Sequence, residues 1–166
     1  MKLAVGDLVV YGNHGIGRVA ARRKQDVIGE MRDVVVLEFE ELTVTLPLAL
    51  ADSHLRPLAS KTDLHRVGVV LQDDGELNSR NWLSRRREAL AKLIGGTPVE
   101  LAEIVSEGAQ RERLRSASRG KGQLSLSERQ LYTRARTLLA DEVALALDIE
   151  PAAAEVWIDG HLMRPS

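Results

Sequence analysis

The feature that most constrains the fold is a change of hydrophobic period near Lys61. Before that point, short runs rich in Val, Thr and Ile are separated by glycines and charged residues, a pattern that predicts β-strands. After it, apolar residues recur every three or four positions, which predicts amphipathic helices. We therefore expect an α+β protein with a β module over residues 1–60 and an all-α module over residues 61–166.

Four or five short strands are expected in the β module. The clearest runs are Leu8–Tyr11, Ile16–Ala21, Val34–Phe39 and Leu42–Leu46. A charged turn closing at Gly29 is expected between the second run and the third, and Pro47 stops the last one. Short strands joined by tight turns predict a small, strongly bent antiparallel sheet or partly open barrel with at least one free edge.

Capping signals divide the second module into about five helices. Thr62 is expected to cap the first helix, and a second runs from about Ser79 to Gly95-Gly96. The capping boxes that begin at Thr97 and Ser125 open the third and fourth helices, and Pro151 begins a fifth that reaches about Asp159.

The apolar positions of these helices predict where the core lies. In the second helix, Leu83, Leu90 and Ile94 share one face and are expected to form its core stripe. The segment 116–122 is rich in Ser, Gly and Arg and is expected to be a loop.

Composition excludes several classes of protein. With 44% hydrophobic and 28% charged residues, the chain is too apolar and too balanced in charge for disorder. The absence of cysteine removes disulfides, thiolate zinc sites and thiol catalysis. The N-terminus has no signal-peptide pattern and no apolar run approaches membrane-spanning length, so we expect a cytoplasmic protein without membrane contact.

No motif predicts an enzyme, a cofactor or a metal site. Gly12-x-x-Gly15-x-Gly17 resembles a phosphate loop, but a strand rather than a helix follows it, so a tight hairpin is the better interpretation. The four histidines, His14, His54, His65 and His161, lie in different predicted elements without metal-ligand spacing. Nucleophile-elbow, zinc-protease and Walker patterns do not occur.

One segment calls for a specific explanation, the tryptophan and arginine cluster at the start of the second helix. Trp82 is followed by Arg85, Arg86 and Arg87, although the formal net charge of the whole chain is only −1. Guanidinium groups attract phosphates, and an apolar side chain can wedge into a minor groove or stack where a duplex opens. The alternative is that Trp82 packs at the junction of the two modules and the arginines form a solvated face.

The order of these segments resembles the CarD-like (CarD/CdnL) family of bacterial transcription regulators. The matching segments are Val5–Val19, Leu42–Pro47, Asn81–Glu88, Gln123–Arg129 and Ala135–Glu142. The N-terminal part is also similar to the polymerase-interacting module of transcription-repair coupling factor. The resemblance spans almost the whole chain and implies a Tudor-like or SH3-like β module.

The resemblance also implies a function without a cofactor. The β module would add an edge strand to the β subunit of bacterial RNA polymerase. The helical module would contact promoter DNA at the upstream edge of the bubble and stabilise the open complex. Carried over by position, Trp82 would be the wedge, Arg85 and Arg87 would lie on the DNA backbone, and Arg129 would be a further basic contact. Arg86 is expected to belong to the same DNA-binding site.

The chain departs from the family pattern at three positions. Thr45 and Gln25 stand where some members have basic residues facing polymerase, and Ser84 replaces a basic residue that several members carry after the tryptophan. Our leading hypothesis is a polymerase-bound, nucleoid-associated monomer that contacts DNA with little sequence preference. The alternative is a protein-interaction adaptor without DNA contact, which predicts a buried Trp82.

Overall fold

The computed structural model describes residues 3–73, 82–116 and 125–163. The predicted helix start at Ser79 and most of the predicted loop 116–122 lie outside this part of the chain. Contacts divide the chain into two compact units, a β unit (residues 1–58) and a helical unit (residues 59–166). An antiparallel sheet is followed by helices, so the expected α+β class is confirmed.

The β unit contains a four-stranded antiparallel sheet in the order β1-β2-β3-β4. The strands are β1 (Leu8–Val10), β2 (Ile16–Val27), β3 (Glu30–Glu38) and β4 (Thr43–Pro47), and helix α1 (Leu48–His54) follows. The glycine-rich segment after β1 forms a 3-10 turn over Gly12–His14 that leads directly into β2. The hairpin interpretation of these glycines is therefore confirmed.

The predicted charged turn between the second and third strands is wrong. Strands β2 and β3 instead continue pairing out to Val27 and Glu30, and the hairpin closes through Ile28 and Gly29 alone. Pairs such as Lys24 with Asp33 lie on a part of the hairpin that is largely exposed to solvent. Since neither face of this part is buried, its sequence lacks the alternation that marks a half-buried strand.

The hydrophobic cluster of the β unit lies on one face of the sheet. Its buried members are aliphatic: Leu3, Val9, Val19, Val35, Leu37, Leu46, Ala51 and Leu55. The ring of Phe39 packs so closely on Gly17 that a β-carbon there would lie 2.7 Å from it. Gly17, which lies in β2, therefore serves close packing rather than the turn.

Helix α1 is an element that the sequence analysis did not predict. It has only seven residues and buries Ala51 against the sheet. Its start at Leu48 directly after Pro47 leaves room for no polar cap, and the side chain of Pro47 makes none. Neither a capping motif nor an apolar period of useful length was available to reveal it.

Five helices form the described part of the helical unit, as predicted. They are α2 (Lys61–Gln72), α3 (Trp82–Gly95), α4 (Pro98–Ser116), α5 (Leu126–Leu147) and α6 (Pro151–Leu162). Helix α5 packs against both α4 and α6, and α2 packs against α4 and α6. None of the described helices is long and apolar enough to cross a membrane.

The predicted caps of α4 and α5 are confirmed, and that of α2 is wrong. Thr97 Oγ1 accepts the amide of Glu100 at 3.2 Å, and Ser125 Oγ accepts the amide of Glu128 at 3.3 Å. In α2 the cap is Ser60 rather than Thr62, because Ser60 forms a reciprocal capping box with Asp63. Helix α2 therefore begins at Lys61, and its cap lies two residues before the expected position at Thr62.

Among the described residues, the core of the helical unit is aliphatic and contains the buried carboxyl group of Glu142. It includes Val67, Leu101, Val105, Leu139, Val143 and Ile158. Glu142 is 1% exposed and accepts the backbone amide of Ala59 at 2.8 Å. This bond ties the first residue of the unit to the C-terminal third of α5. It satisfies a buried amide that would otherwise be costly.

Candidate nucleic-acid interface

The tryptophan and arginine cluster lies at the beginning of α3. Trp82 is the first residue of the helix, and its side chain lies outside the described part of the structure. The adaptor hypothesis predicts that the indole is buried, and this stays a prediction. The three arginines that follow are described, and they differ from one another in exposure.

Arg85 points toward the neighbouring helices. Its side chain is 14% exposed, and Nη2 lies 3.9 Å from Oε1 of Glu128, whose side chain is 10% exposed. Arg86 and Arg87, in contrast, are exposed. Arg85 is therefore placed to hold α3 against α5, whereas Arg86 and Arg87 are presented to solvent.

The contact between Arg85 and Glu128 brings the starts of two helices together. Glu128 lies in the first turn of α5 and is followed by Arg129, which is exposed. Arg86 and Arg87 stand beside Arg85 in the first turns of α3. Arg86 and Arg87 on α3 and Arg129 on α5 thus each lie within two residues of this contact, although more than forty positions separate Arg129 from the other two in sequence.

The predicted core stripe of α3 is wrong. Leu83 is 70% exposed and Ile94 is 67% exposed, and in the described part of the helix only Leu93 joins the buried core. The face turned toward α4 and α5 carries charge instead, since Lys92 Nζ lies 2.7 Å from Glu103 Oε2 on α4. The ion pairs of Arg85 and Lys92 and the burial of Leu93 therefore accompany a rotation of α3 that leaves Leu83 and Ile94 facing outward.

A cleft lies between α3, α4 and α5, and it is small. Its volume is about 60 Å³, and its lining includes Arg85, Glu88, Glu107, Arg111 and Tyr132. Small-molecule sites typically enclose about 300–1,000 Å³. The lining charges alternate in sign, and Arg111 is paired with Glu107 at 3.0 Å. This cleft fits a role in helix packing.

A second charged network joins α5 to α6. Arg136 donates to Glu155 at 2.6 Å and to Asp159 at 2.7 Å. Burial alone lowers the pKa of this guanidinium, but hydrogen bonds to Asp159, Tyr132 and Glu155 outweigh it and raise the pKa above its ordinary value. Arg136 therefore carries a permanent charge that is already neutralised within the fold.

The β unit offers an edge for strand addition. The outer edge of β1 is partly covered, because Val10 and Arg56 exchange backbone hydrogen bonds of 2.8 and 3.0 Å. In the described part of the chain no strand adds to β4. Thr45 on β4 and Gln25 on β2 are both exposed. Among the described residues, the outer edge of β4 is therefore not paired with another strand.

Sequence reasoning missed the residues that set the orientation of α3. Glu128 was recognised only through its helix cap, and Lys92 and Glu103 were not linked to each other. Their pairing depends on how α3, α4 and α5 pack, so no local pattern could have revealed it. The one available signal was the run of basic residues in α3 opposite acidic residues in α4 and α5.

Comparison with known proteins gives two family matches, one for each unit. Residues 3–59 match the family described as "CarD-like/TRCF RID domain", and residues 66–159 match the family described as "CarD, C-terminal domain". Among solved structures, the chain is similar to the 72-residue N-terminal domain of Myxococcus xanthus CarD, solved by NMR in solution. The identity is 32%, over 34% of this chain and 83% of that one, with a TM-score of 0.29.

Proposed function

This chain belongs to the CarD-like family of transcription regulators that interact with RNA polymerase, and we propose that it stabilises the open promoter complex. In this proposal the β unit holds the polymerase and the helical unit contacts promoter DNA at the upstream edge of the bubble.

The polymerase contact is proposed at the outer edge of β4. An added strand from the polymerase β subunit gains backbone hydrogen bonds there, and exposed side chains such as Thr45 supply specificity. Thr45 and Gln25 are uncharged, so the interface would depend less on ion pairs than in relatives with basic residues at these positions.

One observation supports the DNA contact: the Arg85–Glu128 contact joins the start of α3 to the start of α5, and exposed arginines lie next to it on both helices. In this proposal the exposed residues Arg86, Arg87 and Arg129 together attract phosphates of either strand, a contact that carries no sequence information. Trp82 begins the helix that carries two of these arginines. At this place an indole could stack on the last base pair before the bubble.

The arginines have different roles in this proposal. Arg86, Arg87 and Arg129 contact the DNA backbone, whereas Arg85 contributes mainly by fixing α3 beside α5. The four arginines and Trp82 thus belong to the proposed site. Arg85 contributes to it by holding Arg86 and Arg87 in position rather than by contacting DNA.

The lifetime of the open complex tests the proposal. It is measured with the cognate polymerase alone, with the wild-type protein and with a Trp82→Ala variant. Stacking on an aromatic ring contributes about 1–3 kcal/mol per base. We therefore expect the wild-type protein to lengthen the lifetime, and we expect the lifetime with the variant to be at least about fivefold shorter than with the wild-type protein. Equal polymerase binding by the two proteins is the control.

A contrary result points to the adaptor function. If the wild-type protein binds polymerase but leaves the lifetime unchanged, the helical unit does not act on the open complex. The adaptor hypothesis also predicts that Trp82→Ala unfolds or destabilises the chain, which thermal denaturation would reveal.

A further inference from the structure

We propose that Leu83 is a second apolar contact with promoter DNA, beside Trp82. This inference rests on the proposed function of the helical unit, and it arises from the unexpected orientation of α3. Leu83 is 70% exposed although its spacing in the helix is that of a core residue.

The orientation of Leu83 is fixed by contacts on the other side of the helix. At about 100° per residue, Arg85 and Lys92 lie about 160–180° around the helix from Leu83. Both of these side chains are engaged with neighbouring helices, Arg85 with Glu128 and Lys92 with Glu103. Turning Leu83 inward would break both contacts, so this leucine faces outward in the folded protein.

The charges around Leu83 indicate the kind of surface that this side chain contacts. Arg86 and Arg87 follow it by three and four positions, the spacings that place side chains on one helix face, and both are exposed. The one acidic residue of α3, Glu88, lines the cleft on the opposite side. Within the described residues of α3, Leu83 is flanked by two exposed arginines and by no carboxylate. This matches a nucleic-acid surface, where apolar side chains wedge between base steps while cations hold the phosphates.

The same helix supplies a matched control. Ile94 lies on nearly the same face as Leu83 and is 67% exposed, but it is about 16 Å further along the axis. The residues three and four positions before it, Ala91 and Leu90, carry no charge. If exposure alone determined the effect of a substitution on the open complex, changes at Leu83 and Ile94 would have equal effects. If contact with DNA determines it, only a change at Leu83 has an effect.

Crosslinking locates the contact directly. Because the chain has no cysteine, Leu83→Cys and Ile94→Cys variants can each be labelled at one site with a photoreactive maleimide. In the complex with polymerase and promoter, we expect the label at position 83 to crosslink to DNA and the label at position 94 to do so much less. Crosslinks from position 83 to polymerase alone, or equal DNA crosslinks from both positions, would overturn the proposal.

Open-complex lifetimes show whether the contact matters. We expect Leu83→Ala to reduce the lengthening of the lifetime roughly threefold, Leu83→Met to retain it and Ile94→Ala to leave it unchanged. Thermal denaturation should show that all three variants are folded, because both positions are exposed.

The outcomes separate this inference from the proposed function. If Trp82→Ala loses the lengthening and Leu83→Ala does not, the role of Leu83 is rejected and the open-complex function stands. If the wild-type protein does not lengthen the lifetime, both are rejected. An equal loss in Leu83→Ala and Ile94→Ala indicates a protein partner along the whole helix face and also rejects the DNA contact.

Discussion

Ile28 occupies a backbone conformation that a β-branched residue rarely adopts. It is the first residue of the two-residue turn between β2 and β3, with φ of 52°, and Gly29 follows with φ of 80°. Two positive φ angles are typical of a type I′ turn, which favours Asn-Gly. The side chain of Ile28 is also 98% exposed, so no burial within the chain offsets the strain.

Replacing Ile28 with asparagine should stabilise the protein. Asparagine tolerates the left-handed region, and we expect Ile28→Asn to raise the free energy of unfolding by about 0.5–1 kcal/mol. Urea denaturation of the full-length protein measures the change. Ile28→Val keeps the β-branch and is the control, which should leave stability nearly unchanged; equal stabilities for all three proteins would show that the turn stores no strain.

At the scale of the element, a helix start can be tested by comparing two neighbouring hydroxyl side chains. Ser60 Oγ accepts a hydrogen bond from the backbone amide of Asp63 at 3.1 Å, and Asp63 Oδ2 accepts one from the backbone amide of Ser60 at 2.9 Å. Loss of such a cap costs about 1 kcal/mol. We therefore expect Ser60→Ala to lower the free energy of unfolding by that amount, measured by urea denaturation.

Thr62 provides the control for this prediction. It lies inside the first turn of α2 and is exposed, although the sequence marked it as the cap. Because alanine is a better helix former than threonine, Thr62→Ala should leave α2 as stable or slightly more so. A larger loss from Thr62→Ala than from Ser60→Ala would contradict the capping assignment.

The elements show what local sequence can and cannot predict here. The caps at Thr97 and Ser125 depend on residues three positions apart, so their motifs were sufficient. The orientation of α3 depends on Glu103 and Glu128, which belong to other helices, so periodicity within α3 placed Leu83 in the core incorrectly. For the same reason the arginine cluster was recognisable from sequence, but the inward direction of Arg85 was not.

At the scale of the whole molecule, the charge is unevenly distributed over a chain whose formal net charge is only −1. The described arginines of α5 and α4 that face other helices are paired, such as Arg136 with Glu155 and Arg111 with Glu107. Arg86 and Arg87, in contrast, are exposed at the start of α3. Sequence-independent attraction to DNA should therefore depend on a few positions rather than on the charge of the chain as a whole.

Removing these two charges should weaken DNA contact without weakening polymerase binding. Each phosphate contact contributes a slope of about −0.9 to the dependence of log affinity on log salt concentration, so we expect Arg86→Gln with Arg87→Gln to reduce the slope by up to about 1.8. The slope is obtained from the protein concentration that gives half-maximal lengthening of the open-complex lifetime at several salt concentrations.

A variant with the same change of net charge on the other unit separates local from global electrostatics. Arg23→Gln with Lys24→Gln removes two exposed charges from the β2–β3 hairpin. If DNA contact is local to α3, this variant keeps the salt slope of the wild-type protein, provided that a direct measurement shows its polymerase binding unchanged over the same salt range. Equal reductions of the slope in both double variants would instead mean that DNA is attracted by the overall charge, and the role of α3 would then rest on Trp82 and Leu83 alone.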